Sequence, residues 1–249
     1  MARPLALSIV VPCYREARRV QRTATVLAEY FRKRRGPFEI ILVNDGSPDA
    51  TEREARAAAR RLREVRVLSY ARNRGKGHAL RKGILAARGK RLLFLDADLS
   101  TKPDQFPKLE TRLINGADIA IGSRKMKGAH LVRRQPWWRE NMGKVFTGLV
   151  RRLLVDVSDV TCGFKAMRTD VAKELFSKQV LNDWSFDAEV LFLAERSGYR
   201  IDEVPVVWKD NPDSHVRVLS AALASLKGLM LIRWNVARGQ YGRLDRPAV

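Results

Sequence analysis

The sequence predicts an α/β fold with a Rossmann-like, mostly parallel sheet that is flanked by helices. Through the first half of the chain, short apolar runs alternate with segments whose apolar residues recur at helical spacing. Strands and helices in alternation are typical of a doubly wound parallel sheet. Polar loops rich in Asp, Asn and Gly follow the apolar runs, as expected where strands end.

The elements of the first half follow in order. Strands are predicted over 7–11, 38–43, 65–68 and 92–95, because each is a short apolar run. Helices are predicted over 18–35, 50–63 and 78–87, and the pair Gly36-Pro37 ends the first of them. The stretches 44–48 and 72–77 are predicted as a turn and a loop.

The alternation changes after Ser100. A helix is predicted over 104–114 and a strand over 118–122, and the basic, aromatic segment 125–140 is predicted to be loop-like. Apolar residues at helical spacing, interrupted by cations, predict amphipathic helices over 141–155 and 220–234. Repeats and linkers are absent, so we expect one domain over 1–249.

The charge balance narrows the range of partners. With 48 Lys and Arg against 27 Asp and Glu, the formal net charge is +21. Such a field attracts nucleic acid, an anionic membrane surface or phosphorylated substrates. Cys13 and Cys162 form neither a metal-ligand spacing nor a disulfide framework, which predicts a reducing compartment. We expect neither a signal peptide nor a spanning helix.

Two carboxylates end the fourth predicted strand. Asp96 and Asp98 are separated by one residue, and residues i and i+2 of an extended chain point to the same side. They therefore aim at one spot past the carboxyl end of a core strand, where open α/β sheets bind ligands. Hard oxygen donors there suit Mg²⁺ or Mn²⁺ shared with a diphosphate. The alternative is an ordinary turn, in which Asp is common.

Three further loops are expected at the same edge. Tyr14 can stack on a base, Glu16 can accept hydrogen bonds from ribose, and Asp45 can accept one from a base N–H. The cations and glycines of 72–77 suit the binding of a phosphate group, although caps, turns and solvated charges remain alternatives for each loop.

Two common nucleotide-binding motifs are absent from the sequence. Neither G-x-G-x-x-G after the first strand nor G-x-x-x-x-G-K-S/T occurs, which disfavours hydride transfer and ATP hydrolysis.

Five motifs together resemble the inverting glycosyltransferases of family two, which have the GT-A fold. They are Val-Pro-Cys-Tyr-Arg-Glu (11–16), Val-Asn-Asp-Gly-Ser-Pro-Asp-Ala-Thr (43–51), Arg-Asn-Arg-Gly-Lys-Gly (72–77), Asp-Ala-Asp-Leu-Ser (96–100) and Ile-Gly-Ser-Arg (121–124). Within that family the chain is similar to dolichyl-phosphate β-glucosyltransferases and their bacterial polyprenyl-phosphate relatives. The likeness continues through 134–137, 159–165 and 184–189.

The resemblance implies roles for particular residues. The nucleotide would be held by Pro12, Tyr14, Glu16, Asp45, Lys76, Asp96 and Ala97. Mg²⁺ or Mn²⁺ would be held by Asp96 and Asp98. The catalytic residues would be Asp98, Arg124 and Asp187. Charge and position, rather than the resemblance, favour Arg124, Arg133, Arg134 and Lys165 as the cations that bind the acceptor phosphate, and a solvated basic loop is the alternative. A nucleotide-binding half would span about 1–122, and an acceptor and membrane-facing half about 123–240.

The implied reaction transfers glucose from UDP-glucose to a polyprenyl phosphate. A monophosphate is already anionic at neutral pH, with a second pKa of about 6, so the site must position it rather than deprotonate it. A hydroxyl acceptor would instead need a carboxylate base, for which Asp187 is the candidate. Otherwise Asp187 is a helix cap, or it orients cations or the sugar together with Glu189.

Several alternatives stay open. The donor could be GDP-mannose, or the acceptor a soluble hydroxyl compound, and Thr161 and His215 stand where the resembled proteins often have Gln and Lys. Trp137 and Trp138 among arginines would suit nucleic acid, but the two carboxylates argue against that partner. The stretches 145–154 and 219–234 predict contact with an anionic membrane, on its cytoplasmic face, or packing against the sheet.

Overall fold

The structure of the protein is a computed structural model that describes residues 4–34, 36–133, 137–209 and 218–242. Its strands are β1 (Leu7–Cys13), β2 (Phe38–Asp45), β3 (Val65–Tyr70), β4 (Arg91–Phe94), β5 (Ile119–Ser123), β6 (His130–Arg133), β7 (Lys165–Arg168), β8 (Ile201–Pro205) and β9 (Val207–Lys209). Its α-helices are α1 (Val20–Arg32), α2 (Thr51–Arg61), α3 (Lys76–Leu85), α4 (Phe106–Ile114), α5 (Trp137–Leu153), α6 (Thr169–Lys178), α7 (Phe186–Arg196) and α8 (Val218–Ala237). A short 3-10 helix, Pro103–Gln105, precedes α4.

Seven strands form one sheet in the order β3-β2-β1-β4-β7-β5-β8. The pairs β1–β2, β2–β3, β1–β4 and β5–β8 are parallel, which confirms the predicted mostly parallel sheet. The chain continues from β1 to β2 and β3 on one side and then returns to β4 on the other. The strand order therefore reverses between β1 and β4, and open α/β sheets bind ligands at the carboxyl ends of such a pair.

Strand β7 runs antiparallel between β4 and β5, and it was not predicted from the sequence. Its first residue, Lys165, lies opposite Phe94, the last residue of β4. The antiparallel direction thus delivers the segment 159–165 to the carboxyl end of β4, beside Asp96.

The segment 125–140 is not uniformly loop-like, so that prediction was wrong. Strand β6 pairs in parallel with β9 in a separate two-stranded sheet, and α5 begins at Trp137. Partners so distant in sequence leave no local periodicity that would indicate the pairing. Lys76 and Gly77, predicted in a loop, belong to the first turn of α3.

Apolar side chains cover both faces of the large sheet. In β1, Val10 belongs to one buried cluster, whereas Ile9 and Val11 belong to the other, as strand alternation requires. Helices α3, α6 and α7 pack on the first face, and α1, α2 and α4 on the second. Burial on both sides explains why the inner strands β1, β2 and β4 are largely apolar in sequence.

Cys13 and Cys162 are both buried free thiols. In the described part of the chain, no helix combines the length and the apolar composition needed to cross a bilayer.

Candidate active site

The predicted loops meet at the carboxyl ends of β1, β2 and β4. The backbone N–H of Arg15 donates to Ser47 Oγ at 3.1 Å, which joins the loops after β1 and β2. The Lys76 ammonium lies 2.6 Å from Asp96 Oδ1, which joins the loop before α3 to the carboxylates after β4. The structure therefore brings together residues that the sequence analysis assigned to one nucleotide site.

Asp96, Ala97 and Asp98 follow β4 directly. Asp98 Oδ1 accepts a hydrogen bond from the Ser100 N–H at 2.9 Å, and the buried Ala97 accepts one from Thr23 Oγ1 at 2.5 Å through its carbonyl oxygen. Burial, and then the neighbouring charge of Asp96, raise the pKa of Asp98 above its ordinary value. The two carboxylates thus form a site whose negative charges are held close together.

Gly163 lies against the Asp96 carboxylate. A Cβ atom at Gly163 would stand 2.1 Å from Asp96 Oδ2 and 2.6 Å from its Cγ, far inside van der Waals contact. The absence of a side chain there creates the space that Asp96 occupies. This requirement was missed from the sequence, although the resemblance extended over 159–165.

Lys76 is held in place from several sides. Its side chain is 13% exposed, and its ammonium lies 5.2 Å from the ring centroid of Trp184 and 6.0 Å from that of Phe186. Burial lowers the pKa of Lys76, but the charges of Asp96 and Asp187 outweigh burial and raise the pKa above its usual value. Lys76 therefore remains a cation beside the two carboxylates.

Asp45 accepts hydrogen bonds from the last residue of β3 and from the loop that joins β3 to α3. Its donors are Tyr70 Oη (2.8 Å), Asn73 Nδ2 (2.8 Å), Arg74 N (2.8 Å) and Gly75 N (2.9 Å). Two carboxylate oxygens offer about four acceptor positions, so these bonds use the whole capacity of the buried Asp45. The geometry shows that Asp45 shapes this loop, and its contact with a base stays a prediction.

The loop after β1 contributes one acidic and one aromatic side chain. Glu16 forms an ion pair with Arg19 at 2.8 Å, while burial raises the pKa of Glu16, and Asp98 and Asp96 add to that effect. Tyr14 is 40% exposed, and the neighbouring Pro12 is partly buried at the end of β1. Tyr14 follows the carboxyl end of β1, and an exposed ring at that place is available to stack on a planar ligand.

Arg124 follows β5 and is fixed by Asp159. Nε and Nη2 donate to the two Asp159 oxygens at 2.7 Å each, and Nη2 also donates to Thr161 Oγ1 at 2.9 Å. The guanidinium lies 5.3 Å from the ring centroid of Trp208, which also lines a small cavity of about 10 Å³ beside Asp96. Asp159 and Trp208 were missed as site residues, and only the resembling segment 159–165 could have pointed to the first.

Lys165 and Asp187 form a buried ion pair. Lys165 is 1% exposed, and its ammonium donates to Asp187 Oδ1 (2.5 Å), Val160 O (2.9 Å) and Cys162 O (2.7 Å). An ammonium has three protons, so Lys165 keeps none for a ligand in this arrangement. Burial raises the pKa of Asp187, and the charges of Lys165 and Lys76 oppose that effect. The predicted direct contact of Lys165 with an acceptor phosphate is not what this geometry favours.

The predicted acceptor arginines lie partly outside the described residues. Arg133 ends β6, but its side chain is not described, and Arg134 lies outside the described ranges altogether. Strand β9, the partner of β6, is tied to the loop after Asp98, because Lys209 N donates to Ser100 O at 2.9 Å. The backbone at Arg133 is thereby connected to the site through β9.

The carboxylates suit a divalent cation that takes other ligands from its substrate. Asp96 and Asp98 supply hard oxygens. Burial is the main cause of the raised pKa values of Asp98 and Glu16, and the charge of Asp96 adds to it in both cases. Within the described ranges, no cluster of three or more His, Cys, Asp or Glu residues could hold a metal by itself. Magnesium commonly uses one or two carboxylates together with waters and phosphates, so the donor set fits this type of binding.

Comparisons with known proteins agree with this geometry. The sequence profile of glycosyl transferase family 2 matches residues 8–176. A dolichyl-phosphate beta-glucosyltransferase of Drosophila melanogaster is 36% identical, covering 83% of this chain and 68% of its own length. One of Homo sapiens is 34% identical, covering 96% and 78%. A third, from Trichomonas vaginalis, is 33% identical, covering 85% and 66%.

Solved structures show the same fold. Glucosyl-3-phosphoglycerate synthase of Mycobacterium tuberculosis, in complex with Mn²⁺, UDP and glucosyl-3-phosphoglycerate, has a TM-score of 0.67 at 19% identity, covering 92% of this chain and 80% of that one. Mannosyl-3-phosphoglycerate synthase of Rubrobacter xylanophilus has a TM-score of 0.69 at 19% identity, covering 98% and 78%. From its profile match, its relatives and its fold, the chain belongs to glycosyl transferase family 2 and is a nucleotide-sugar-dependent glycosyltransferase with a GT-A fold.

Proposed function

We propose that the protein transfers glucose from UDP-glucose to a polyprenyl phosphate. The observation that carries the proposal is the Asp96–Asp98 pair beside Lys76 at the switch point of the sheet. Relatives that cover 83–96% of the chain are named dolichyl-phosphate beta-glucosyltransferases, which supports both the sugar and the lipid acceptor.

The donor diphosphate would lie between the carboxylates and Lys76. Asp96 and Asp98 would hold Mg²⁺ or Mn²⁺, and the bound cation would offset the charge that develops on the leaving nucleoside diphosphate. Lys76 would exchange its bond to Asp96 for a phosphate oxygen. It begins α3, and the helix dipole favours an anion at the same place.

The nucleoside would lie across the ends of β1 and β2. We propose that Tyr14 stacks on the base, and that Pro12 and Glu16 border the ribose. Asp45 would act mainly through the loop that presents Lys76, because Gly75 N and Arg74 N both donate to its carboxylate. A direct bond from a base N–H to Asp45 would have to replace one of these donors.

The acceptor anion would meet Arg124. Within the described residues Nε and Nη2 of Arg124 are engaged with Asp159 and Thr161, so the two protons of Nη1 would bind the ligand. We propose that Arg133 and Arg134 bind the same phosphate. Lys165 would act indirectly, because it binds the carbonyl oxygens of residues 160 and 162 and so places Gly163 beneath Asp96.

A phosphate acceptor agrees with the state of Asp187. A general base must reach the proton that it removes, but Asp187 is 4% exposed and bonded to Lys165 at 2.5 Å. A lipid monophosphate has a second pKa of about 6 and attacks as an anion, so it requires no such base. The site then has to align the anion with the sugar and offset its repulsion from the diphosphate.

We propose that α5 and α8 form the membrane-facing surface, on the cytoplasmic side. A groove of about 400 Å³ between them is lined by Leu153, Leu229, Met230, Arg233, Trp234 and Ala237. Met230 and Trp234 are 62% and 55% exposed, and Arg233 is also exposed. Apolar side chains beside cations suit the boundary between headgroups and acyl chains, and the net charge of +21 favours anionic lipid.

The test is a product assay with two labelled donors. Purified protein with Mn²⁺ is given UDP-glucose or GDP-mannose, together with a polyprenyl phosphate in detergent, and Asp98→Asn serves as the inactive control. We expect label from UDP-glucose in the lipid phase, and stabilisation against heat by UDP with Mn²⁺. Label from GDP-mannose alone would reassign the donor, and no transfer to the lipid from either donor would refute the proposal.

A further inference from the structure

Glu189 is a fully buried carboxylate that holds a loop rather than a cation. In α7 it is 0% exposed, and its oxygens accept hydrogen bonds from Val180 N (3.0 Å), Leu181 N (2.9 Å) and Tyr241 Oη (2.7 Å). These three donors are two backbone N–H groups and a phenol, not the side chains of Lys, Arg or His. Burial accordingly raises the pKa of Glu189, and the three donors oppose that effect.

The loop that Glu189 holds, residues 179–185, packs on the backbone around Lys76. Asn182 O accepts a hydrogen bond from Gly77 N at 2.9 Å. A Cβ atom at Gly75 would stand 2.3 Å from Asn182 O, and one at Gly77 would stand 2.9 Å from Leu181 O. The two backbones therefore touch over several residues, so the position of the 179–185 loop determines the position of Lys76.

The same loop also supplies part of the wall around the Lys76 ammonium. Trp184 presents its ring 5.2 Å from Lys76 Nζ. A loosened loop would therefore change both the backbone that carries Lys76 and the aromatic surface that faces its charge.

Tyr241 brings the C-terminal part of the chain into this arrangement. It lies four residues beyond the end of α8, is 3% exposed, and also receives a hydrogen bond from Asn235 of α8 at 3.4 Å. At the other side of the loop, a Cβ atom at Gly228 of α8 would stand 2.0 Å from Ser185 Oγ, so α8 packs directly on the end of the loop. Helix α8 thus contacts the 179–185 loop at Ser185 and, through Tyr241 and Glu189, at residues 180 and 181.

We propose that Tyr241 and Glu189 are a positioning pair through which α8 holds the Lys76 loop in the geometry that binds the donor diphosphate. The proposal rests on the role of Lys76 proposed above. It assigns a function in the nucleotide site to a residue 165 positions away in the chain, just beyond the helix that carries the exposed apolar side chains.

The variant Tyr241→Phe removes one hydroxyl and keeps the ring. The matched control is Tyr199→Phe, because Tyr199 Oη likewise donates to a carboxylate in the same buried cluster, Glu174 Oε2 at 2.5 Å, but that carboxylate is on α6 and not the one that holds the loop. Hydrogen exchange followed by mass spectrometry should show exchange at residues 77 and 180–182 about tenfold faster in Tyr241→Phe and unchanged in Tyr199→Phe. The KM for UDP-glucose should rise by about three- to tenfold in Tyr241→Phe only, with kcat changed less.

Equal exchange in the two variants at residues 77 and 180–182 would overturn the pairing. So would faster exchange with an unchanged KM, because the pair would then have only a structural role. If Tyr241→Phe does not fold, the same comparison is made with Glu189→Gln. A wild-type protein that turns over no UDP-glucose would refute the proposed function instead, and the exchange experiment would still decide whether the pair holds the loop.

Discussion

Replacing Gly163 by Ala tests the proposed metal site without removing either carboxylate. Gly163 has no positive φ angle, so the backbone accepts Ala, and the added methyl group meets mainly the Asp96 carboxylate. The Cβ would lie 2.1 Å from Oδ2 and 2.9 Å from Oδ1, whereas carbon and oxygen atoms in contact need about 3.2 Å. The carboxylate must therefore move by about 1 Å, which would break its bond to Lys76 and shift its oxygens relative to Asp98.

A displacement of this size at a catalytic position costs on the order of 100-fold in rate. We expect Gly163→Ala to lower kcat/KM for UDP-glucose by about that factor and to raise the Mn²⁺ concentration needed for half-maximal activity. The melting temperature should change little, because Ala restricts the unfolded chain more than Gly. Gly148→Ala is the control, since a Cβ at that exposed position in α5 meets nothing within 4 Å. Kinetics and metal dependence equal to wild type in Gly163→Ala would refute the reasoning.

Three further predictions concern the charged residues Asp187, Lys165 and Glu64. The variant Asp187→Asn should fold, should lose about tenfold in activity, and should leave the pH–rate profile unchanged. If instead the activity falls about 1,000-fold and the acidic limb of the pH–rate profile disappears, Asp187 is a general base. Lys165→Met should lower the free energy of unfolding in urea by about 3–5 kcal/mol, because Asp187 is left buried without its partner. The pKa of Glu64 is lowered from 4.5 to about 2, mainly by its hydrogen bond from Arg32, so Glu64→Gln should lower the melting temperature at pH 7. The difference in melting temperature between variant and wild type should fade as the pH drops from about 4.5 towards 2. A difference that stays constant over this range would contradict the ion pair.

The nucleotide-binding part of the fold could be predicted because its signals are local. Strands β1, β2 and β4 are short, largely apolar runs buried on both faces, β3 is a partly buried edge strand, and each of the four is separated from the next by a helix of ordinary length. Strand β7 has only four residues, Lys165–Arg168, with cations at both ends, and it pairs with β4 from more than 70 residues away. Neither its length nor its pattern distinguishes it from a loop.

The residues of the site likewise divide into those that local sequence signals predict and those that depend on tertiary pairing. Asp96 and Asp98 could be placed from the sequence, because the end of a buried strand and the alternation of side chains determine where they point. Gly163 and Trp208 contribute through their shape and their distance from Asp96 or Arg124, and those depend on how β7 and β9 enter the fold. Such contacts follow from the tertiary pairing of segments that carry no chemical signal of their own.

The three cations at the site differ in what they can still bind, and the difference follows from burial. Lys165 donates all three of its protons to the protein, whereas Arg124 spends Nε and Nη2 on Asp159 and Thr161 and keeps Nη1. Lys76 lies between these cases, because under the proposed function its bond to Asp96 would be exchanged for one to a phosphate. Under that proposal, basic residues that look equivalent in sequence separate into a structural cation, an anchored phosphate ligand and an exchangeable one. A site that must hold two anionic substrates together needs the last two kinds, and the first places the backbone between them.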